Sequence, residues 1–109
     1  MIIKYKVEKW MIQEKQIEIK DPMNVFLKGE NYLEKSYFGI WNDKNRIFII
    51  SILNGDTIKY YSYSNMDFDV SEYLSQYLRN CEKVEIITKN EFKQQIQNII
   101  KIIDINVNI

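Results

Sequence analysis

The segment Arg46–Leu53, RIFIISIL, constrains this chain more than any other stretch. Side chains alternate along a strand, so Ile47 and Ile49 project to one side and Phe48, Ile50 and Ile52 to the other. A strand that is apolar on both faces belongs inside a sheet covered on both sides. Asn54-Gly55 follows at once and is a strong hairpin signal, because a type I′ turn needs positive φ at both central residues. Thr57 to Tyr63 is then the returning strand.

Covering two faces is a heavy demand on 109 residues, which make one domain spanning 1–109. The apolar share is 46%, with 20 Ile and no Ala, so every apolar side chain is medium or large. Each Ile that is buried contributes about 1.5–3 kcal/mol. Ile, Lys, Asn and Tyr are all AT-rich in their codons, and their abundance suggests a gene from a low-GC bacterium or a phage. Part of the composition is then mutational bias and not design.

Upstream, Ile3, Tyr5 and Val7 alternate with charged residues, and Gln16 to Lys20 alternates again through Ile17 and Ile19. The two form a hairpin with Gln13-Glu14-Lys15 as its turn. Asp21-Pro22 breaks it. Met23 to Leu27 suits a strand or a short helix, and Lys28-Gly29-Glu30-Asn31 has turn composition. Ser36 to Trp41 reads as a strand, joined to Arg46 by a tight Asn42–Asn45 connection.

The last third changes period. Asp69 with Glu72, and Thr88 with Glu91, each place a capping side chain three residues before an acid. Phe68 with Tyr73 and Ile87 with Phe92 are placed as hydrophobic staples. The first helix carries Val70, Tyr73, Leu74, Tyr77 and Leu78 on one face and stops near Asn80. The second carries Phe92, Ile96, Ile99, Ile100 and Ile103. Val84 to Ile87 is a short strand between them. The tail, 105–109, is compatible with an edge strand, an extension of the helix or an arm for a partner.

The expected fold class is α+β: an antiparallel sheet of about five to six strands, hairpins first, with two C-terminal-half helices in β-α-β-α order packed on one face. The second face then needs the N-terminal hairpin folded over it, or a second copy of the chain in a homodimer.

Composition narrows the chemistry. There is no His and one Cys, Cys81, so neither the common zinc sites nor a Ser–His or Cys–His nucleophile pair can form within the chain. No catalytic, cofactor-binding or metal residues are assigned. Asp56, Asp67, Asp69 and Glu72 resemble a hard-metal cluster, but helix capping explains the spacing of Asp69 and Glu72 unaided. Cys81 follows a helix end, where no dipole activates its thiol, and suits a buried apolar role. Lys plus Arg is 15 and Asp plus Glu is 15, a balance that argues against binding by phosphate neutralisation. The alternating N-terminus does not resemble a signal peptide and no apolar run reaches membrane length, so a cytoplasmic protein without a membrane partner is expected.

The expected function is that of a small non-enzymatic module that binds another protein, of inhibitor, immunity or antitoxin type. Its interface is placed on the aromatic strands 37–41 and 57–63, with Tyr37, Trp41, Lys59, Tyr61 and Tyr63 as contacts. The alternatives are a single-stranded nucleic-acid binder using the same strands and a metal-dependent enzyme using the Asp/Glu cluster.

Overall fold

A computed structural model describes residues 1–107 apart from Lys9, Met23, Leu33, Asp56 and 65–68, with the backbone alone over 102–107. Among the described residues, seven strands and two helices follow one another: β1 (Ile2–Glu8), β2 (Ile12–Glu18), β3 (Asn24–Glu30), β4 (Lys35–Asp43), β5 (Arg46–Leu53), β6 (Thr57–Ser64), α1 (Val70–Tyr77), β7 (Lys83–Ile86) and α2 (Lys89–Val107). The fold is α+β, as the patterning implies. β3 to β7 form one antiparallel sheet in the order β6-β5-β4-β3-β7, and β1-β2 form a separate hairpin.

β5 lies between β4 and β6, inside the sheet. Its two faces enter two different cores. Ile47 and Ile49 join Val25, Leu27, Phe38 and Ile40 beneath Ile3, Tyr5 and Val7 of the hairpin, Leu74 of α1 and Leu78 at its C-cap. Ile50 and Ile52 join Phe26 and Tyr37 beneath Phe92, Ile96 and Ile99 of α2. The hairpin does fold over one face, side by side with α1, as the need for cover suggests. The helices do not share a face. β7 pairs with β3 at the sheet edge between them, so the chain leaves α1 on one side and enters α2 on the other. Because both faces are apolar, each receives its own layer. The thinnest dimension, 21 Å, matches two interlayer spacings of about 10 Å.

The seam between β1 and α1 is closed by polar contacts in place of a strand. Ser75 Oγ donates to the Lys4 carbonyl at 2.6 Å, and the Asn80 amide donates to the Lys6 carbonyl at 2.8 Å. Asn80 Oδ1 then accepts from the Glu8 amide at 2.9 Å. α1 ends at Tyr77 with Leu78 as its C-cap, and Asn80 reverses the chain in the turn beyond at φ 67°, a left-handed conformation that Asn tolerates. The α1 cap is Asp69, whose carboxylate accepts from the Glu72 amide at 3.1 Å. Thr88 Oγ1 caps α2 through the Glu91 amide, also at 3.1 Å. Ile87 packs with Phe92, while the Phe68 staple lies outside the described residues.

Two turn positions change. The first reversal falls between Glu8 and Ile12, which pair with one another, and not at Gln13–Lys15. Those polar residues belong to a strand with an exposed outer face, while apolar Trp10 and Met11 occupy the bend. Lys28–Glu30 is strand, with the turn displaced to Asn31–Glu34. Gly29 is there because Cys81 packs on it: a Cβ at this position would lie 2.9 Å from the Cys81 Sγ. The Asn24–Leu27 segment is strand, and residues 105–107 extend α2. Positive φ at both Asn54 and Gly55 bears out the hairpin signal, with the ladder closing at Leu53 and Thr57. Lys44 and Asn45 make the other tight turn, also at positive φ.

One buried polar pair gives the fold a pH response. Ser51, fully buried on the α1 face, shares a 2.9 Å hydrogen bond with the Tyr73 hydroxyl. Burial pushes the Tyr73 hydroxyl up to about 12, whereas an unfolded tyrosine titrates near ~10. Between those values the native chain keeps a proton that the unfolded chain releases. Stability from this group is therefore complete below pH ~10 and is lost as pH rises toward 12. Urea midpoints measured from neutral pH into this window are expected to fall more steeply for the parent chain than for Tyr73→Phe. The slope left in the variant reflects Tyr5 and Cys81, which burial also raises, and lysines held charged by glutamates. Equal slopes would contradict the assignment.

Candidate functional site

The two covering layers are unequal. On one face the hairpin and α1 lie together over the sheet. On the other, α2 runs mainly over β4 and β3 and meets β5 through Ile50 and Ile52. The β5–β6 half of that face is left with large side chains pointing outward. Trp41 pairs directly with Phe48 across β4 and β5, and their rings stack at 5.9 Å between centroids. Phe48 stacks in turn on Tyr60 of β6 at 6.4 Å. The three rings form a row across three strands, ending at the edge strand β6, where Tyr60 is 57% exposed. Ile58 stands beside Tyr60 on the same strand face, also exposed.

At the foot of α2 this row runs into a groove of about 230 Å³. Phe26, Trp41, Ile50, Phe92 and Ile96 form its apolar lining, and Lys89 and Lys93 are its charged side chains. One turn further along the same flank of α2, Ile100 is half-exposed. Arg46 lies on the floor side as well, its Nε donating to Ser62 Oγ at 2.9 Å, opposite Asp43 in the ladder. The sequence dictates this layout. Period 2 puts Phe48, Tyr60 and Trp41 on one side of the sheet, and helical spacing puts Lys89, Lys93, Ile96 and Ile100 on one flank of α2.

The five contacts expected from the sequence do not make one patch. Tyr37 and Trp41 lie on the α2 face, and Tyr37 is packed in the core beneath α2. Lys59 and Tyr63 lie on the opposite face, paired with Ser51 and Ile47, and Tyr61 packs into the core there. Tyr61 and Tyr63 stack on each other at 6.0 Å. Strand alternation separates residues that are adjacent in sequence. Grouping the aromatics by strand hides this, and grouping them by odd and even positions recovers Tyr60 and Phe48 as partners of Trp41. Lys89 and Lys93 carry no sequence signal of their own, because nothing in the helix says which sheet face it will flank.

Other chemistry-bearing groups are accounted for by structure. Asp69 is occupied as the α1 cap, Asp56 and Asp67 lie outside the described residues, and no group of three or more metal-type ligands occurs among the described residues. Cys81 is buried against Gly29, and burial pushes its thiol up, away from the reactive thiolate. At the β3–β7 edge, Lys28 pairs with Glu30 at 2.7 Å and Lys83 with Glu85 at 2.6 Å. Hydrogen bonding to Lys28 holds the Glu30 carboxyl low, and Glu30 in turn raises Lys28. The Lys83–Glu85 pair is exposed and adds little stability, whereas Lys28 and Glu30 are half-buried. Among the described residues no helix is long and apolar enough to cross a membrane.

The architecture is thus a three-layer α+β domain whose outer face is half covered. No protein-family model, curated protein or solved structure matches the chain.

Proposed function

We propose that the chain is a non-enzymatic protein-binding module whose interface is the open half of the α2 face. The observation that carries this reading is the stacked row Trp41–Phe48–Tyr60, left outward beside an apolar groove. Monomeric proteins rarely leave contiguous large apolar patches uncovered without a use for them. Trp and Tyr are also the residues that most often anchor interfaces. The size of the chain suits an inhibitor, immunity or antitoxin-type role, in which a small domain occupies a surface of a larger partner.

Replacing Tyr60 with a photo-cross-linking aromatic residue in cells that express the gene tests the reading. Irradiation is expected to give discrete adducts with a different polypeptide. The same residue at Tyr32, exposed in the β3–β4 turn, is expected to give none. No adduct at position 60, or equal adducts at both positions, removes the reading.

Stacked rings beside Arg46, Lys89 and Lys93 also suit single-stranded nucleic acid, where bases lie on aromatic faces. Zero net charge and the isoleucines of the surface favour a protein partner. Labelled oligonucleotides at low salt are therefore expected not to bind, and saturable, salt-sensitive binding would replace the protein reading.

A further inference from the structure

The open half-face has the dimensions of a missing helix, and its charge selects one kind. Helices packed side by side stand about 8–10 Å apart, and neighbouring strands about 4.8 Å apart. One helix spacing therefore equals two strand spacings. α2 is centred over β3 and β4, so the next helix on this face would be centred over β5 and β6. That is where Phe48, Tyr60 and Ile58 point outward. One wall of the slot is already built: Lys89, Lys93, Ile96 and Ile100 form one flank of α2. We propose that this slot receives an amphipathic α-helix of a partner protein, its apolar stripe on the aromatic row and acidic residues against Lys89 and Lys93. The proposal rests on the protein-binding reading and specifies the partner segment.

Charge complementarity chooses the occupant. The groove lining contains two lysines and no carboxylate, and Arg46 stands on the floor near its end, with Asp43 opposite in the ladder. A second copy presenting its own α2 here would bring Lys89 and Lys93 against cations of the same kind. An acidic-flanked helix meets them with opposite charge and places apolar anchors at i, i+3, i+4 and i+7, the usual helix-in-groove arrangement.

The chain carries two tryptophans, Trp10 and Trp41. Trp10 is 99% exposed in the first hairpin bend, so Trp10→Phe leaves the fold intact and makes Trp41 a single fluorescent reporter. The probes are two synthetic 18-residue amphipathic helices with the same leucine stripe, one flanked by glutamates and one by lysines. The glutamate peptide is expected to shift Trp41 emission saturably and the lysine peptide to bind at least tenfold more weakly. K89E/K93E is expected to weaken the glutamate peptide about tenfold, roughly 1.4 kcal/mol, and to strengthen the lysine peptide. Both lysines are exposed in the first turns of α2, where acidic residues favour the helix dipole, so this variant folds. Tyr60→Glu is expected to abolish binding of the glutamate peptide.

Equal binding of the two peptides, or no response to K89E/K93E, overturns the proposal. So does light scattering that shows a dimer dispersed by Tyr60→Glu, since a second copy would then occupy the slot. Cross-linking of a protein at position 60 together with failure of the peptide test removes the acidic helix and leaves the protein-binding reading standing. Failure of the cross-linking removes both.

Discussion

Phe92→Ala is expected to lower stability by about 3–5 kcal/mol, the range for deleting a buried aromatic ring. Phe92 is 2% exposed and lies at the centre of the α2 core, with its ring 5.5 Å from that of Phe26. Its place is cut into the sheet by Gly39. A Cβ on Gly39 would lie 2.5 Å from the Phe92 ring, closer than carbon atoms approach. Gly39→Val alone is therefore expected to displace the ring and with it the start of α2, costing at least the ~1–3 kcal/mol of an overpacked core. In the double variant, valine at 39 enters the space the ring has left. Its loss should fall well short of the sum of the two single losses, a coupling of the kind that contacting residues show. Urea unfolding of the four proteins measures it. Additive losses would mean that the glycine does not seat the ring.

Gly39 also marks how far the sequence was legible. Caps and glycine turns were disclosed by the pattern, although the polar composition of Gln13–Lys15 misplaced the first hairpin bend. Asp69 and Thr88 accept the amide three residues on, Asn54 and Gly55 both take positive φ, and β5 divides its side chains between two cores as its alternation requires. The isoleucine-rich pattern also implied two covered faces. What was not legible depends on contacts between distant segments. Gly29 has the composition of a turn, yet serves as a flat spot for Cys81, which is 52 residues away in sequence. The assignment of α1 and α2 to opposite faces follows from β7 pairing beside β3, and a four-residue strand carries too little pattern to announce its neighbour. The candidate site shows the same division. The aromatic strands 37–41 and 57–63 could be picked out from residue type, but which aromatics share a surface is set by register. That register brings Trp41 to Phe48 and Tyr60, and sends Tyr61 and Tyr63 to the other side.

The uneven covering also explains why the proposed interface lies on one face only. The α1 face is sealed twice, by a hairpin and a helix, and its central residues Phe38, Ile49 and Leu74 are fully buried. The α2 face receives a single helix, and the strip beyond it stays outward. A partner that binds there adds a layer without disturbing a core, so its binding need not be offset by partial unfolding.

Ile3→Ala is expected to cost about 2–5 kcal/mol and to loosen the hairpin layer before the rest of the fold. Ile3 is fully buried, one of three inward side chains on β1 with Tyr5 and Val7. Among the described residues the hairpin shares no strand ladder with the main sheet, and a two-stranded hairpin is marginal on its own in water. It is held by that inward row, by Ile17 and Ile19, by hydrogen bonds from Ser75 and Asn80 to β1, by the Arg79–Glu8 ion pair, and by Lys15 Nζ donating to the Glu82 carbonyl at 2.9 Å. Removing Ile3 takes apolar area from a layer that rests on side-chain packing, so hydrogen exchange should accelerate at β1 and β2 amides more than at β4 and β5, which lie inside the five-stranded ladder. A hydrophobic dye should bind as the surface around Leu74 and Leu78 opens. Phe92→Ala leaves this layer in place, so its exchange pattern should be the reverse, with α2 amides freed first. Uniform acceleration over all seven strands in both variants would show that the two layers unfold together and that the hairpin is as firmly part of the domain as the sheet it covers.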